Sequence, residues 1–275
     1  MQTAVKQAIL SMRERYHEPI TLHEIAAEVF VSPFHFSRIF ARDTGVTPGR
    51  YLTSIRLFEA KRMLLNSSLT VSDIVCSVGY SSVGTFTTRF TQAVGMTPTQ
   101  YRAPEVEEML IAVAPEYHRL PSLQELRSVG KTCVGLRPAI GGSIVGSVDV
   151  PDELAPADVL IGVFDNRIPQ RGPIAFTALP HSGGGDMAIN NVPEGDWWVI
   201  AVAEPAATGP RVPRIFLGDL QQPVSVAAGH VSRIALRMRE VRPTDPPFAI
   251  TLAAGITTGG QRTGIPERAA LRAVA

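Results

Sequence analysis

The sequence predicts a two-part α + β chain: an all-α first hundred residues holding two helix-turn-helix units, then an antiparallel β-sandwich. Three observations carry this prediction. A self-repeat with an offset of 50 pairs Ser32, Phe36, Phe40, Gly45, Thr47, Pro48 and Tyr51 with Ser82, Phe86, Phe90, Gly95, Thr97, Pro98 and Tyr101. A repeated supersecondary unit means two copies of one small device. Proline is sparse at first, with 4 of the 22 in residues 1–103, and then frequent. From about residue 131 the pattern changes to short alternating or apolar runs separated by Pro/Gly turns, as in all-β domains.

A chain of 275 residues is long for one domain, and two are expected. The divisions are a helical domain at 1–103, a partly helical connector at 104–130, a sandwich at 131–240 and a mostly irregular tail at 241–275. Helices are expected at 3–16, 21–29, 32–43, 47–66, 70–78, 82–94 and 97–102. Their starts carry an N-cap followed by proline: Ser32-Pro33, Thr47-Pro48 and Thr97-Pro98. Thr21 and Glu24 have capping-box spacing. The long helix 47–66 lies between the two copies and sets their relative orientation. In the connector, Ser122 to Glu125 is another capping box, ended by Gly130.

Strands are expected at 131–137, 143–149, 158–164, 173–179, 185–190, 196–203, 212–217, 223–227 and 231–239. Asn191-Val192-Pro193-Glu194-Gly195 is a turn ahead of the run Trp197–Val202. The Gly183-Gly184-Gly185 run precedes no helix and reads as a hairpin turn. In the tail, 247–254 is expected to dock through its apolar residues.

Net charge is +1, but residues 1–103 hold 11 basic and 7 acidic residues, a net of +4, and the rest nets −3. The positive charge therefore lies where the repeat lies. Two cysteines, Cys76 and Cys133, are too few for a disulfide framework or a four-ligand zinc site. Cys76, between Val75 and Val78, is expected to be a buried core thiol. With no leader pattern at the start and no apolar run of 18 residues, the expectation is a soluble, cytoplasmic protein. Arginine outnumbers lysine 23 to 3, attributed to codon bias.

The repeat suits DNA reading. On a helix advancing about 100° per residue, Phe36, Ile39 and Phe40 share one face while Phe34, Ser37, Arg38 and Ala41 share the other. One face packs on the partner helix and the other enters the major groove. The Arg38 fork matches guanine O6 and N7, a contact worth about 1–3 kcal/mol of base discrimination. In the second copy Val83, Gly84, Thr87, Thr88 and Thr91 face outward, so reading there is softer. Candidate phosphate contacts are the helix starts at Ser32, Thr47 and Ser82, with Arg50, Arg56 and Arg102. Two readers on one face of DNA must sit one turn apart, about 34 Å.

These residues resemble the AraC/XylS family of bacterial transcription regulators. The carriers are Ile25-Ala26 through Phe40, Gly45 to Pro48 with Tyr51, and Arg56 to Leu65. In the second copy they are Ile74 through Tyr80, Phe86-Thr87-Thr88-Arg89-Phe90, Gly95, and Thr97 to Arg102. The resemblance covers about residues 4–103. It implies a double helix-turn-helix domain on promoter DNA, with base reading at Phe34, Ser37, Arg38, Val83, Gly84, Thr87 and Thr88. Most members carry this domain at the C-terminus and a cupin-like partner that is not evident here, so ligand class and dimer mode do not transfer. Gly146-Ser147-Val148, Val159–Phe164 and Met187–Gly195 weakly resemble transthyretin-like or carboxypeptidase-regulatory sandwiches.

No nucleophile elbow, phosphate loop or metal spacing occurs in 131–240, so the expectation is no enzyme, no cofactor and no metal. Trp197 and Trp198 point to opposite faces of one strand, and either can stack on a small-molecule effector. Three readings stay open: a regulator whose sandwich senses an effector; the same reader with a ligand-independent dimerisation or protein-contact module, toward itself or RNA polymerase; and a non-specific architectural DNA binder. The low charge of the helical part disfavours the last.

Overall fold

The computed structural model describes residues 3–115, 117–121, 141–205 and 214–252. It has a helical part followed by a β-rich part whose sheets are mostly antiparallel. The helices are α1 (Thr3–Glu14), α2 (Leu22–Glu28), α3 (Pro33–Thr44), α4 (Pro48–Asn66), α5 (Val71–Ser77), α6 (Val83–Val94), α7 (Pro98–Tyr101) and α8 (Pro104–Glu108). The first seven match the expected set to within a residue or two at each end. Their ends sit where local chemistry puts them. Ser32 and Ser82 oxygens accept from the amides of His35 and Thr85, and Gly45 and Gly95 close α3 and α6 in the left-handed region at φ 76° and 85°. Only glycine enters that region without a Cβ penalty.

The two copies are not related by one offset. Capping boxes Thr21/Glu24 and Thr70/Asp73 open α2 and α5, an offset of 49, whereas Ser32 and Ser82 open α3 and α6 at 50. The extra residue lies in the turn. Phe30 takes the left-handed position in the first copy, at φ 56°, and Gly79 takes it in the second, at φ 77°. Each copy then builds the same aromatic stack. Phe36, Phe40 and Tyr51 meet with ring centroids 5.5 Å apart, and Phe86, Phe90 and Tyr101 at 5.4 and 5.6 Å. Burying such rings stabilises by about 1.5–3 kcal/mol each.

Cys76 is exposed, not buried. The short helix α5 buries Ile74, Val75 and then Val78, and about 100° per residue turns Cys76 away from Ile74.

The β-rich part holds β1 (Leu110–Ala114), β2 (Tyr117–Arg119), β3 (Gly142–Asp149), β4 (Ala157–Phe164), β5 (Ala175–Ser182), β6 (Gly184–Val192), β7 (Gly195–Pro205), β8 (Phe216–Asp219), β9 (Val224–Val226), β10 (Val231–Arg237), β11 (Arg239–Glu240) and β12 (Phe248–Thr251). One sheet runs β12-β1-β2, a second β10-β3-β6, and a third β11-β8-β7-β4-β5 with β9 beside β7. The expected strand 131–137 and the capping box at Ser122 lie outside the described residues.

Three expectations are corrected. The sheets are not wholly antiparallel, because β10 pairs β3 in parallel, Val231 opposite Ser143. The described connector is a single helical turn and then β1 and β2, and β1 also pairs β12, which lies within the segment 247–254 expected to dock. An edge built from segments about 140 residues apart in sequence leaves no local signal. The glycine run is no hairpin: β5 pairs β4 while β6 pairs β3, so Gly183-Gly184 carries the chain between two sheets. Gly184 lies at φ 105°, where a Cβ would meet the Val148 carbonyl at 2.7 Å.

The second and third sheets share one core, with Ile144, Ile189 and Leu236 against Val159, Ile161, Val199 and Ala201. The alternate residues of the same strands, Leu160, Phe164, Ile200 and Val202, join the core of the helical part instead. β4 and β7 are therefore apolar on both faces, and so read as near-continuous apolar runs.

The two parts meet along α4. The Tyr51 hydroxyl lies 2.9 and 3.1 Å from the carbonyls of Thr244 and Asp245, and Arg13 donates to the latter at 3.0 Å. Asp245 is itself held by a two-pronged pair with Arg239 at 2.7 and 3.0 Å. Lys61, buried on α4, donates to the Ala249 carbonyl at 2.6 Å and to Gln170 at 2.9 and 3.0 Å.

Candidate nucleic-acid interface

The residues expected to read bases are positioned by α3 and α6, whose inner faces are locked by the aromatic stacks. On α3, Phe34 is 80% exposed, Arg38 is exposed and Ser37 is half-buried. On α6, Val83, Gly84 and Thr88 are exposed and Thr87 is half-buried. The β-rich part covers none of them completely. Arg38 forms no ion pair among the described residues, so its fork is available. Both stripes follow from helical periodicity, which places Phe36, Ile39 and Phe40, or Phe86 and Phe90, on the opposite side.

Sequence reasoning missed two residues beside these stripes. Phe30, in the turn before α3, is 98% exposed and sits at φ 56°. A bulky residue there is strained by about 1 kcal/mol or more. The signal was present, since the structurally equivalent residue of the second copy is Gly79. Arg89 is exposed on α6 at the position where the first copy buries Ile39. It adds a cation next to a stripe that is otherwise hydroxyl and methyl.

The expected phosphate contacts divide into two groups. Ser32, Thr47 and Ser82 are N-caps, each accepting from an amide three residues on. Their helix starts present positive dipole ends. Arg50 is exposed near the start of α4. Arg56 and Arg102 instead hold backbone carbonyls. Arg56 donates to Tyr16 at 2.8 Å and Glu18 at 2.7 Å beneath the Tyr80 ring, and Arg102 to Leu64 at 3.2 Å and Leu69 at 2.5 Å. Burial lowers the Arg56 pKa from its ordinary value. A phosphate would have to compete with these ties.

Residues 25–104 match a family model described as a helix-turn-helix domain. This segment is an AraC-type helix-turn-helix domain. The chain is 30% identical over 98 residues to the lactose operon transcription activator of Staphylococcus xylosus, spanning 36% of this chain and 35% of that protein. It is 38% identical over 79 residues to the transcriptional regulator Rv1931c of Mycobacterium tuberculosis, spanning 29% of this chain and 30% of that one. Among solved structures, the C-terminal domain of AraT, a response regulator from Geobacillus stearothermophilus, is 31% identical. That match covers 37% of this chain and 84% of the other at a TM-score of 0.36. The chain spans about a third of the length of these two curated relatives.

The expected effector residues are separated by their strand. Trp197 joins the core between the two larger sheets and donates from Nε1 to the Pro193 carbonyl at 2.8 Å. Trp198 joins the core shared with the AraC-type domain, and the Arg167 guanidinium sits 5.3 Å from its ring centroid. Among the described residues no cluster of His, Cys, Asp and Glu could hold a metal ion, and no helix is long and apolar enough to cross a membrane.

Proposed function

We propose that this protein is a sequence-specific DNA-binding transcription regulator. Residues 1–103 act as a double helix-turn-helix reader of promoter DNA, and the β-rich part, a two-sheet sandwich, reports an effector to it. The observation that carries this reading is the exposure of both reading stripes, on α3 and α6, while the β-rich part is seated along α4. A reader joined to a regulatory part needs that arrangement: free groove-facing sides, and a rigid contact on the helix that sets their separation.

The first copy supplies the sharper discrimination, through Arg38 with Phe34 and Ser37. The second supplies docking and softer preference, through Val83, Gly84, Thr87 and Thr88, backed by the charge of Arg89. Ser32, Thr47 and Ser82 hold the phosphates. The names of the curated relatives, an operon activator and a transcriptional regulator, support the same reading.

The test is to sequence genomic fragments retained by the purified protein at about 0.15 M salt, which screens weak phosphate contacts. The expected result is a motif with two half-sites about one turn, 34 Å, apart. Uniform retention without a motif would overturn sequence-specific reading and favour an architectural role.

A further inference from the structure

A cavity of about 360 Å³ lies where the two parts meet. It is bounded by one face of α4, by Gln92 and Ala93 at the end of α6, and by the β4–β5 loop at residues 165–171. That volume is in the range of metabolite sites, and a junction between domains is a common place for one. Its charge is lopsided, with Arg50, Arg167 and Arg171 lining it against one carboxylate, Asp165. Arg167 is engaged, 3.7 Å from Asp219 and bonded to Gln221. Arg50 and Arg171 pair with no carboxylate among the described residues. Arg171 instead donates from Nε to the Ala93 carbonyl at 3.1 Å and from Nη2 to the Gln92 carbonyl. These carbonyls belong to the last turn of α6, the negative end of its dipole.

We propose that this cavity binds a small organic oxyanion, a carboxylate or a phosphate ester, held between Arg50 of α4 and Arg171 of the β4–β5 loop. A concave site with surplus positive charge concentrates anions. Guanidinium donors match the oxygen geometry of carboxylate and phosphate, with Arg50 offering its whole fork and Arg171, whose Nε and Nη2 are tied to carbonyls, offering Nη1. The ligand would touch the helix joining the two readers and the loop that grips the end of the second reader. Its occupancy therefore sets how α6 is held against α4, and with it the span between the reading helices. This proposal rests on the reading of the β-rich part as an effector sensor, and supplies its ligand class and site.

The experiment uses the full chain without DNA. Thermal unfolding is followed with succinate, citrate and glycerol 3-phosphate up to about 10 mM, against sodium chloride of equal ionic strength. The proposal expects a saturable rise in midpoint with at least one probe, and the probe that acts identifies carboxylate or phosphate as the group recognised. Arg171→Met should weaken the response at least tenfold. Gly49→Leu should do the same by filling the cavity, since nothing lies within 4 Å of a Cβ built there and both arginines stay in place. The active probe should also change affinity for the target duplex about fivefold or more.

No saturable rise with any probe overturns the proposal, as does a rise that survives in both variants. If no free anion binds and Arg171→Met lowers the salt dependence of DNA binding by about one phosphate, the cavity is a DNA-backbone contact and the proposal fails while the DNA reader stands. If neutral sugars stabilise the chain and the anions do not, the ligand class is wrong but the sensor reading survives.

Discussion

Lys61→Met gives a measurable test of how the two parts are joined. Lys61 is 1% exposed on α4, and among the described residues its ammonium meets the Ala249 carbonyl, the carbonyl and side-chain oxygen of Gln170, and the face of Tyr101 at 5.8 Å. Burial pushes its pKa from 10.5 down to about 7. Between those two values the unfolded chain binds more protons than the folded one, so stability rises with pH across the window. At pH 7 about half of the folded molecules carry the proton. By pH 9 almost none do, while the unfolded lysine remains charged. Integrating the difference gives a gain of about 2 kcal/mol from pH 7 to pH 9.

Methionine keeps the volume and removes the titration. The absolute cost is mixed, since carbonyls left without a donor cost about 1–3 kcal/mol while a buried charge is no longer needed. The change in slope is therefore the diagnostic quantity. Urea unfolding followed by far-ultraviolet circular dichroism at pH 7, 8 and 9 measures it, because groups titrating equally in both proteins cancel. The wild-type curve should climb relative to the variant by about 2 kcal/mol. Parallel curves would refute the reasoning and show that the three acceptors hold the proton on Lys61 throughout.

Arg38→Ala should relax base choice in one half-site by about 1–3 kcal/mol; binding to duplexes carrying single base changes measures it, and an unchanged ranking removes Arg38 from base reading. Tyr51→Phe should cost about 1 kcal/mol by losing the bond to the 244–245 carbonyls. Tyr101→Phe should cost less, since that hydroxyl has no protein partner among the described residues; equal losses in denaturant melts would contradict this. Phe30→Gly should stabilise by about 1 kcal/mol by relieving the left-handed backbone at φ 56°. A lower melting midpoint would refute the strain, and weaker DNA binding in the same variant would identify the ring as a DNA contact.

The helices and the outward stripes of α3 and α6 were legible because their determinants are local. Caps such as Ser32-Pro33, the Gly45 and Gly95 stops, and the spacing of Phe36 and Phe40 act within one or two turns. The strand pairings that escaped the reading depended on partners far along the chain. β1 and β12 were missed because Leu110 pairs with Thr251, and neither short run satisfies its backbone alone. The parallel β10–β3 pair, and the crossing at Gly183-Gly184 taken for a hairpin, likewise depend on which sheet each strand joins. Cys76 was misplaced by reading it beside Val75 and Val78 rather than by its angle from Ile74. The strained Phe30 was hidden because the repeat offset changes from 49 to 50 inside the turn.

By itself the sequence determined the helical part and the inward and outward faces of α3 and α6, with Arg38 on the outward face, since helix chemistry repeats every few residues. In the folded chain β4 and β7 are apolar on both faces. Only the tertiary structure decided what covers the second face. It placed the helical core there, buried Lys61 against carbonyls of Gln170 and Ala249, and left Arg50 and Arg171 lining one cavity. Those arrangements arise where segments distant in sequence meet, and an isolated lysine or arginine carries no periodic signature of such a meeting.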